Sequence, residues 1–172
     1  MTINKINIET PLGAMIACAT NKGLCLLEFD NRIHIGKQLK NLTETLHATI
    51  EESANSHLEL VAKELDAYFS AQLKSFSIAI DMVGTTFQKS VWEELLNIPH
   101  GRTISYLQQA VAINKPKGAR AVANANGKNK IAIVIPCHRV IGSNATLTGY
   151  AGGLDRKKWL LNFESGNTGL FD

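Results

Sequence analysis

The sequence predicts two unlike domains: a small α/β unit over residues 1–82, then a helical unit containing a helix-turn-helix over residues 83–172. Three observations carry this. The first thirty residues read as short strands with a hairpin, followed further on by an amphipathic helix. Around Val83-Gly-Thr85 the pattern changes to helical periodicities in close succession. Charge divides at the same place. Residues 1–84 hold 7 Lys/Arg against 10 Asp/Glu and residues 85–172 hold 11 against 5, so the net charge of +3 is the sum of an acidic and a basic half.

Ile3, Ile6 and Ile8 mark a first strand, and Thr10-Pro-Leu-Gly13 supplies a turn. Ala14–Thr20 and Leu24–Phe29 flank Asn21-Lys-Gly23, which predicts a tight hairpin. Leu58, Val61, Leu65 and Phe69 recur at helical spacing, so residues 56–71 form an amphipathic helix. Phe76–Met82 reads as a strand or a connecting segment, and His34, His47 and His57 stand in polar stretches as surface residues.

In the second half, Thr85 or Thr86 caps a helix with Phe87, Val91, Leu95 and Ile98 on one face and Trp92 alongside; Ile98-Pro-His-Gly101 ends it. Ser105 caps a second, short helix carrying Leu107, Ala110 and Val111. Pro116 suits the first turn of a third helix running to about Asn126, where Gly127 stops it. The few residues Ile113-Asn-Lys-Pro116 between the last two fit a helix-turn-helix. In the third helix Ala119, Ala121, Ala123 and Ala125 surround Arg120, a single long cation among methyl groups. Such a surface serves either close packing on neighbouring helices or close approach to a partner. Between Arg102 and Lys158 lie ten basic residues and one acid, Asp155; charge alone fits a polyanion surface and a solvated basic face equally.

Composition sets the remaining bounds. Hydrophobic residues at 45% and a mean hydropathy of −0.03 describe a globular chain, and no apolar run reaches the ~18 residues a membrane-spanning helix needs. Met1-Thr-Ile-Asn-Lys-Ile-Asn lacks an apolar leader, so a cytoplasmic protein with reduced thiols is expected. Three cysteines are too few for a disulfide scaffold. Cys18 and Cys25 sit in apolar stretches as small buried hydrophobes, and their spacing matches no common zinc motif.

Cys137 differs. Lys130-Ile-Ala-Ile-Val-Ile135 reads as a buried strand that ends at Pro136-Cys-His-Arg139, with the thiol beside a histidine in a basic region. Nearby cations and a base within reach raise the thiolate fraction of a cysteine, whose free pKa is ~8.5. A Cys-His pair is by itself more often structural than catalytic.

Ile135-Pro-Cys-His-Arg-Val140 resembles the signature of the O6-alkylguanine-DNA alkyltransferases, or methylated-DNA–protein-cysteine methyltransferases. The resemblance extends in order and spacing through Phe87-Gln-Lys-Ser-Val-Trp92, Ile98-Pro-His-Gly-Arg-Thr103, Ser105-Tyr106, Arg120-Ala-Val122, Asn126-Gly-Lys-Asn129, Gly149-Tyr-Ala-Gly-Gly-Leu154 and Trp159-Leu-Leu161. It implies a ribonuclease-H-like N-terminal domain, with a short antiparallel sheet plus helices, and a winged-helix-like C-terminal domain. The implied activity is DNA repair: the alkyl group of O6-methylguanine, with O4-methylthymine a further candidate, moves irreversibly onto Cys137 in a single turnover. His138 matches the histidine that draws the thiol proton through a water, Glu164 the carboxylate that orients and charges it, and Asn129 the asparagine that brackets the reactive loop. Tyr106 matches the tyrosine that donates to the departing base. Cys137, Val140, Tyr150, Ala151 and Gly152, with Gly153 beside them, match the pocket for an extruded base.

Arg120 matches the arginine that fills the gap left by the flipped nucleotide, while Ala119, Ala121 and Ala123 let the helix lie close in the minor groove. Lys115, Lys117, Lys128 and Lys130 are placed for phosphates, giving affinity for double-stranded DNA with little sequence preference. The resemblance further implies a monomer without a cofactor. The N-terminal half lacks a Cys/His set of the kind that binds metal in some relatives, so no metal is expected. Ala123 and Asn124 stand where glycines are frequent, and Lys130 replaces a common proline. Cys137 itself excludes the related lesion-binding proteins that have tryptophan at this position.

Overall fold

A computed structural model of the chain describes residues 1–167 and 169–171. It divides into two compact units, Met1–Val83 and Gly84–Asp172.

The first unit is built from β1 (Thr2–Ile8), β2 (Met15–Ala19), β3 (Leu24–Phe29), α1 (Ile35–Leu46), β4 (Thr49–Glu52) and α2 (Ser56–Phe69). Gly13, at φ 116°, closes the first turn by donating its N–H to Thr10 O at 3.0 Å. β1 and β2 pair antiparallel with Ile8 opposite Met15, and β2 and β3 pair antiparallel with Met15 opposite Phe29. The sheet order is β3-β2-β1-β4, and β4 runs parallel to β1 with Ile3 opposite Ile50. That parallel edge makes the sheet mixed rather than wholly antiparallel. Every residue of β3 is buried, so both faces of the sheet are covered there.

Apolar periodicity marks α2 plainly: Leu58, Val61, Leu65 and Tyr68 are buried, and Asn55 caps the helix by accepting from Leu58 N at 3.0 Å. The pattern leaves α1 and β4 unmarked. Helix α1 lies between His34 and His47, both in the left-handed conformation, with no side-chain cap at its start and one fully buried residue, Leu42. Phe76–Met82 is a connecting segment whose touch on the sheet is a parallel bridge between Ile80 and Leu24. Glu64 of α2 pins it by accepting from the Ser77 and Ile78 N–H groups at 2.9 and 3.2 Å.

The second unit comprises α3 (Thr86–Leu95), β5 (Ile104–Ser105), α4 (Tyr106–Ala112), α5 (Ala119–Gly127), a 3-10 turn at Cys137–Arg139, β6 (Val140–Ile141) and α6 (Leu154–Ser165). Both α3 and α4 open with complete capping boxes, Thr85 with Gln88 and Ser105 with Gln108. Helices α3, α4 and α5 pack together through Val91, Trp92, Leu95, Ala110, Val122 and Ala125. Trp92 Nε1 donates to Ala125 O at 2.9 Å. A pair of buried amides locks the helix-turn-helix: Gln109 Nε2 donates to Asn126 Oδ1 at 3.1 Å and Asn126 Nδ2 returns to Gln109 Oε1 at 2.7 Å. The short β5 and β6 pair in parallel, Ile104 opposite Val140.

Four local expectations are corrected. Leu107 and Val111 of α4 are exposed; Ala110 is buried as expected, and Gln109 is buried beside it. Pro116 lies in the turn ahead of α5, which starts at Ala119 behind Gly118, and Gly127 is the last helical residue rather than the stop. Ala125 belongs to the core rather than to the surface around Arg120. Residues 131–135 are buried but form turns, not a strand. Val134 N donates to Ala132 O at 2.8 Å, Ile135 N to Ile131 O at 3.0 Å, and Ile133 sits at φ 71°. A β-branched residue there costs on the order of 1–2 kcal/mol, which the surrounding packing must offset.

Candidate active site

Cys137 opens the 3-10 turn behind Pro136, half-buried, while His138 and Arg139 of the same turn are buried. The buried turns that precede it are held by Asn129. Its Nδ2 donates to Ile135 O at 2.8 Å and to Cys137 Sγ at 3.2 Å, and its Oδ1 accepts from Ile131 N at 3.0 Å. One amide therefore braces the backbone and reaches the sulfur.

Behind the turn, His138 Nε2 lies 2.8 Å from Glu164 Oε1 of α6. Both side chains are fully buried. Taking Nε2–H as the donor leaves Nδ1, which has no hydrogen-bond partner among the described residues, as the basic atom of the ring. Burial pushes His138 below its ordinary pKa against the pull of Glu164. For Glu164, burial disfavours the anion, but the charges and hydrogen bonds of His138 and Arg139 outweigh it and hold the carboxyl below the usual carboxylate range. Two hydrogen-bonded pairs, Asn129 with Cys137 and His138 with Glu164, are thus brought side by side by the adjacent positions of Cys137 and His138 in the 3-10 turn.

Tyr106, the first residue of α4, donates its hydroxyl to Thr148 O at 2.9 Å. Burial raises its pKa, so the phenol holds its proton at neutral pH. Cys137 O accepts from Val140 N within the turn, and Val140 O accepts from Lys157 Nζ at 2.6 Å. Tyr150 and Gly152 are half-buried and Ala151 exposed, in a loop that Arg156 Nη1 ties down through Gly152 O at 3.1 Å.

Arg120 is exposed on α5; Ala121 is exposed beside it, and Ala119 and Ala123 are half-buried. Lys115, Lys117 and Lys128 are exposed and Lys130 half-buried, in the segments that lead into and out of this helix.

Two basic residues that the motifs do not single out are buried here. Arg139 forms a two-pronged ion pair with Glu164, Nε to Oε2 at 2.8 Å and Nη2 to Oε1 at 2.9 Å. Lys157 of α6 donates to Val140 O, to Thr148 O at 2.9 Å and to Gly149 O at 3.5 Å. It thereby ties the strand after the turn to the loop before α6, and burial lowers its pKa to about 8. Hydrophobic periodicity cannot find either, because both are cations at inward positions; Arg139 stood only as the fourth letter of a motif. Among the described residues no group of three or more His, Cys, Asp or Glu is placed to hold a metal ion.

Two family models match the chain. The one described as 6-O-methylguanine DNA methyltransferase, ribonuclease-like domain, covers residues 4–82, and its DNA binding domain counterpart covers residues 86–166. The chain is 45% identical over 160 residues to a methylated-DNA–protein-cysteine methyltransferase of Methanosarcina barkeri, spanning 93% of this chain and 96% of that one. It is 39% identical over 158 residues to one from Mycobacterium leprae, spanning 92% and 90%. Among solved structures, Mycobacterium tuberculosis O6-methylguanine methyltransferase superposes with a TM-score of 0.82 at 36% identity, over 98% of this chain and 96% of that one. A Mycobacterium tuberculosis OGT in complex with DNA gives 0.80 at 37% identity, over 96% and 94%.

Proposed function

The chain belongs to the 6-O-methylguanine DNA methyltransferase family, and on that premise we propose that Cys137 is the permanent acceptor of an alkyl group from O6-alkylated guanine in DNA. The activity is DNA repair by alkyl transfer, that of a methylated-DNA–protein-cysteine methyltransferase acting on alkylated DNA. The observation that supports the residue assignment is the pairing of Asn129 with the half-buried Cys137 sulfur beside the buried pair of His138 and Glu164 in the same turn.

In this reading the thiol proton passes to His138 Nδ1 through a bridging water, and Glu164 stabilises the imidazolium that results. The Asn129 amide, 3.2 Å from the sulfur, favours the anion. The thiolate attacks the alkyl carbon in line. A carbon–sulfur bond forms, the carbon–O6 bond breaks, and the electron pair stays on the base. Tyr106, protonated at neutral pH, releases Thr148 O and donates to the base as that negative charge develops. Tyr106 gives its proton to the base, so guanine leaves neutral, and solvent reprotonates the phenolate while the thiol proton departs from His138. The neutral thioether is too poor a leaving group for the step to reverse.

The target carbon is inaccessible in stacked DNA, so the nucleotide is flipped out. Val140, Tyr150, Ala151 and Gly152 line its pocket, Arg120 fills the vacated stack, and Ala119, Ala121 and Ala123 admit α5 to the minor groove. Lys115, Lys117, Lys128 and Lys130 hold phosphates without reading sequence. O4-methylthymine is a second substrate by the same chemistry. The protein acts as a monomer in the cytoplasm, where a reduced thiol persists. Among the described residues no helix is long and apolar enough to cross a membrane.

Intact mass after incubation with duplex DNA carrying O6-methylguanine is the decisive measurement. The expected result is a gain of one methyl group, mapping to Cys137 and saturating at one equivalent. Binding without a mass change overturns the reading, and so does methyl on another residue.

A further inference from the structure

Glu164 is shared. Its Oε1 accepts from His138 Nε2 and from Arg139 Nη2, and its Oε2 accepts from Arg139 Nε and, at 3.4 Å, from Gly101 N. Arg139 also donates Nη1 to Ile98 O at 2.6 Å. The guanidinium therefore touches both carboxylate oxygens and the loop after α3, with its side chain 8% exposed and that of Glu164 fully buried. Gly101 is part of the same enclosure: it sits at φ 77°, and a Cβ there would lie 2.9 Å from Glu164 O.

Sharing changes what the carboxylate can do for the imidazole. A lone buried carboxylate at 2.8 Å would draw a proton onto His138 and hold it there as an ion pair. Arg139 is always charged and takes up the carboxylate through two hydrogen bonds, so the imidazole meets a charge that is already balanced. The other charged groups acting on His138 point the same way. Burial is the largest influence and disfavours the imidazolium; Glu164 alone favours it, and Arg139 in its own turn and Lys157 of α6 both disfavour it. Helix α3, which also packs on the turn, brings Val91, Trp92 and Leu95 inward.

We infer that Arg139 is a positioning residue that keeps His138 neutral, with its proton on Nε2, until the proton of Cys137 arrives. This deepens the reading above and rests on its assignment of His138 as the base. With Arg139 in place, moving the thiol proton converts a neutral Cys137–His138 pair into thiolate and imidazolium, and the charge of the cluster does not change. With Arg139 made neutral, Glu164 acts undivided on the ring. The ring then takes a proton from solvent at a higher pH, and the base is occupied before the thiol can use it.

Nitrogen-15 NMR of the His138 ring, on the full chain without DNA, tests this. In the unmodified protein at pH 7 the ring is expected to be neutral with Nε2 protonated; an imidazolium there overturns the inference with no variant needed. In a Cys137→Ser background, Arg139→Gln is expected to move ring titration up by about one pH unit, a tenfold change in the equilibrium. Arg139→Lys, which keeps the charge, is expected to restore most of it. In the Cys137 protein, the acid limb of the single-turnover transfer rate should move up in parallel with Arg139→Gln. A slower rate at every pH with an unmoved ring titration shows a merely structural role and overturns the inference. The NMR result is independent of alkyl transfer, so a chain that fails to gain methyl defeats the functional reading without touching the titration result.

Discussion

The side-chain amide of Asn129 stands 3.2 Å from the Cys137 sulfur while it also holds the Ile135 carbonyl at 2.8 Å. A residue that closes the turn before the nucleophile is thus also a donor to it. Asn129→Ala removes both contacts and leaves Ile131 N and Ile135 O buried without this partner. The expected cost is about 1–3 kcal/mol in urea unfolding, with a Cys137 thiol that ionises at higher pH in iodoacetamide rate profiles.

The three cysteines should separate cleanly by reactivity. Burial pushes Cys18 and Cys25 up to about 12, and neither has exposed surface, whereas Cys137 is half-buried at the mouth of the cluster. Iodoacetamide at pH 8 should add one group to the folded protein, at Cys137, and three after denaturation. Peptide mapping reads the result, and labelling of Cys18 or Cys25 in the native state contradicts it.

Lys157 should make stability depend on pH in a defined window. Its pKa is about 8 folded against an ordinary 10.5, so between those values the unfolded chain binds the proton and the folded chain does not. Stability from this group therefore rises as pH climbs from about 8 to 10.5. The buried cysteines act oppositely, because the unfolded chain loses their protons first. The measurement is accordingly the difference between wild type and Lys157→Met in urea midpoints across that range, and this difference should widen in favour of wild type as pH rises.

Gln109 and Asn126 should behave as a coupled pair. Replacing either by leucine strands the other amide in the core, at an expected cost of about 1–3 kcal/mol. The double variant should cost less than the two single losses together, as a double-mutant cycle of unfolding free energies will show. Additive losses would mean that the amides do not act as one lock.

Arg120 stands exposed among small side chains on α5. Arg120→Ala should slow repair of O6-methylguanine in duplex DNA while unfolding free energy stays within about 0.5 kcal/mol of wild type, as expected for an exposed position. Duplex repair at the wild-type rate would remove the insertion role from this residue.

What could be read from the sequence was what short-range chemistry decides. The cap at Ser105 was legible, and at the start of α3 the choice was narrowed to Thr85 or Thr86, because capping is completed within four residues; the structure selects Thr85, and each cap pairs with its own glutamine. The β2–β3 hairpin was legible because its turn and alternation are local. The buried stretch at residues 131–135 was legible as apolar but not as turns, since an apolar run reads the same in a strand and in a packed loop. Helix α1 and β4 escaped because their apolar residues are sparse and the packing they join lies elsewhere in the chain.

The sequence by itself determined the family, the cysteine beside its histidine and the division of charge between the halves, because each is written in neighbouring residues or fixed motifs. Only the tertiary structure decided that Arg139 and Lys157 would be buried. The partners that offset the loss of water around those cations, Glu164 and Ile98 O for one and the carbonyls of Val140, Thr148 and Gly149 for the other, come from segments that meet only when the chain has folded.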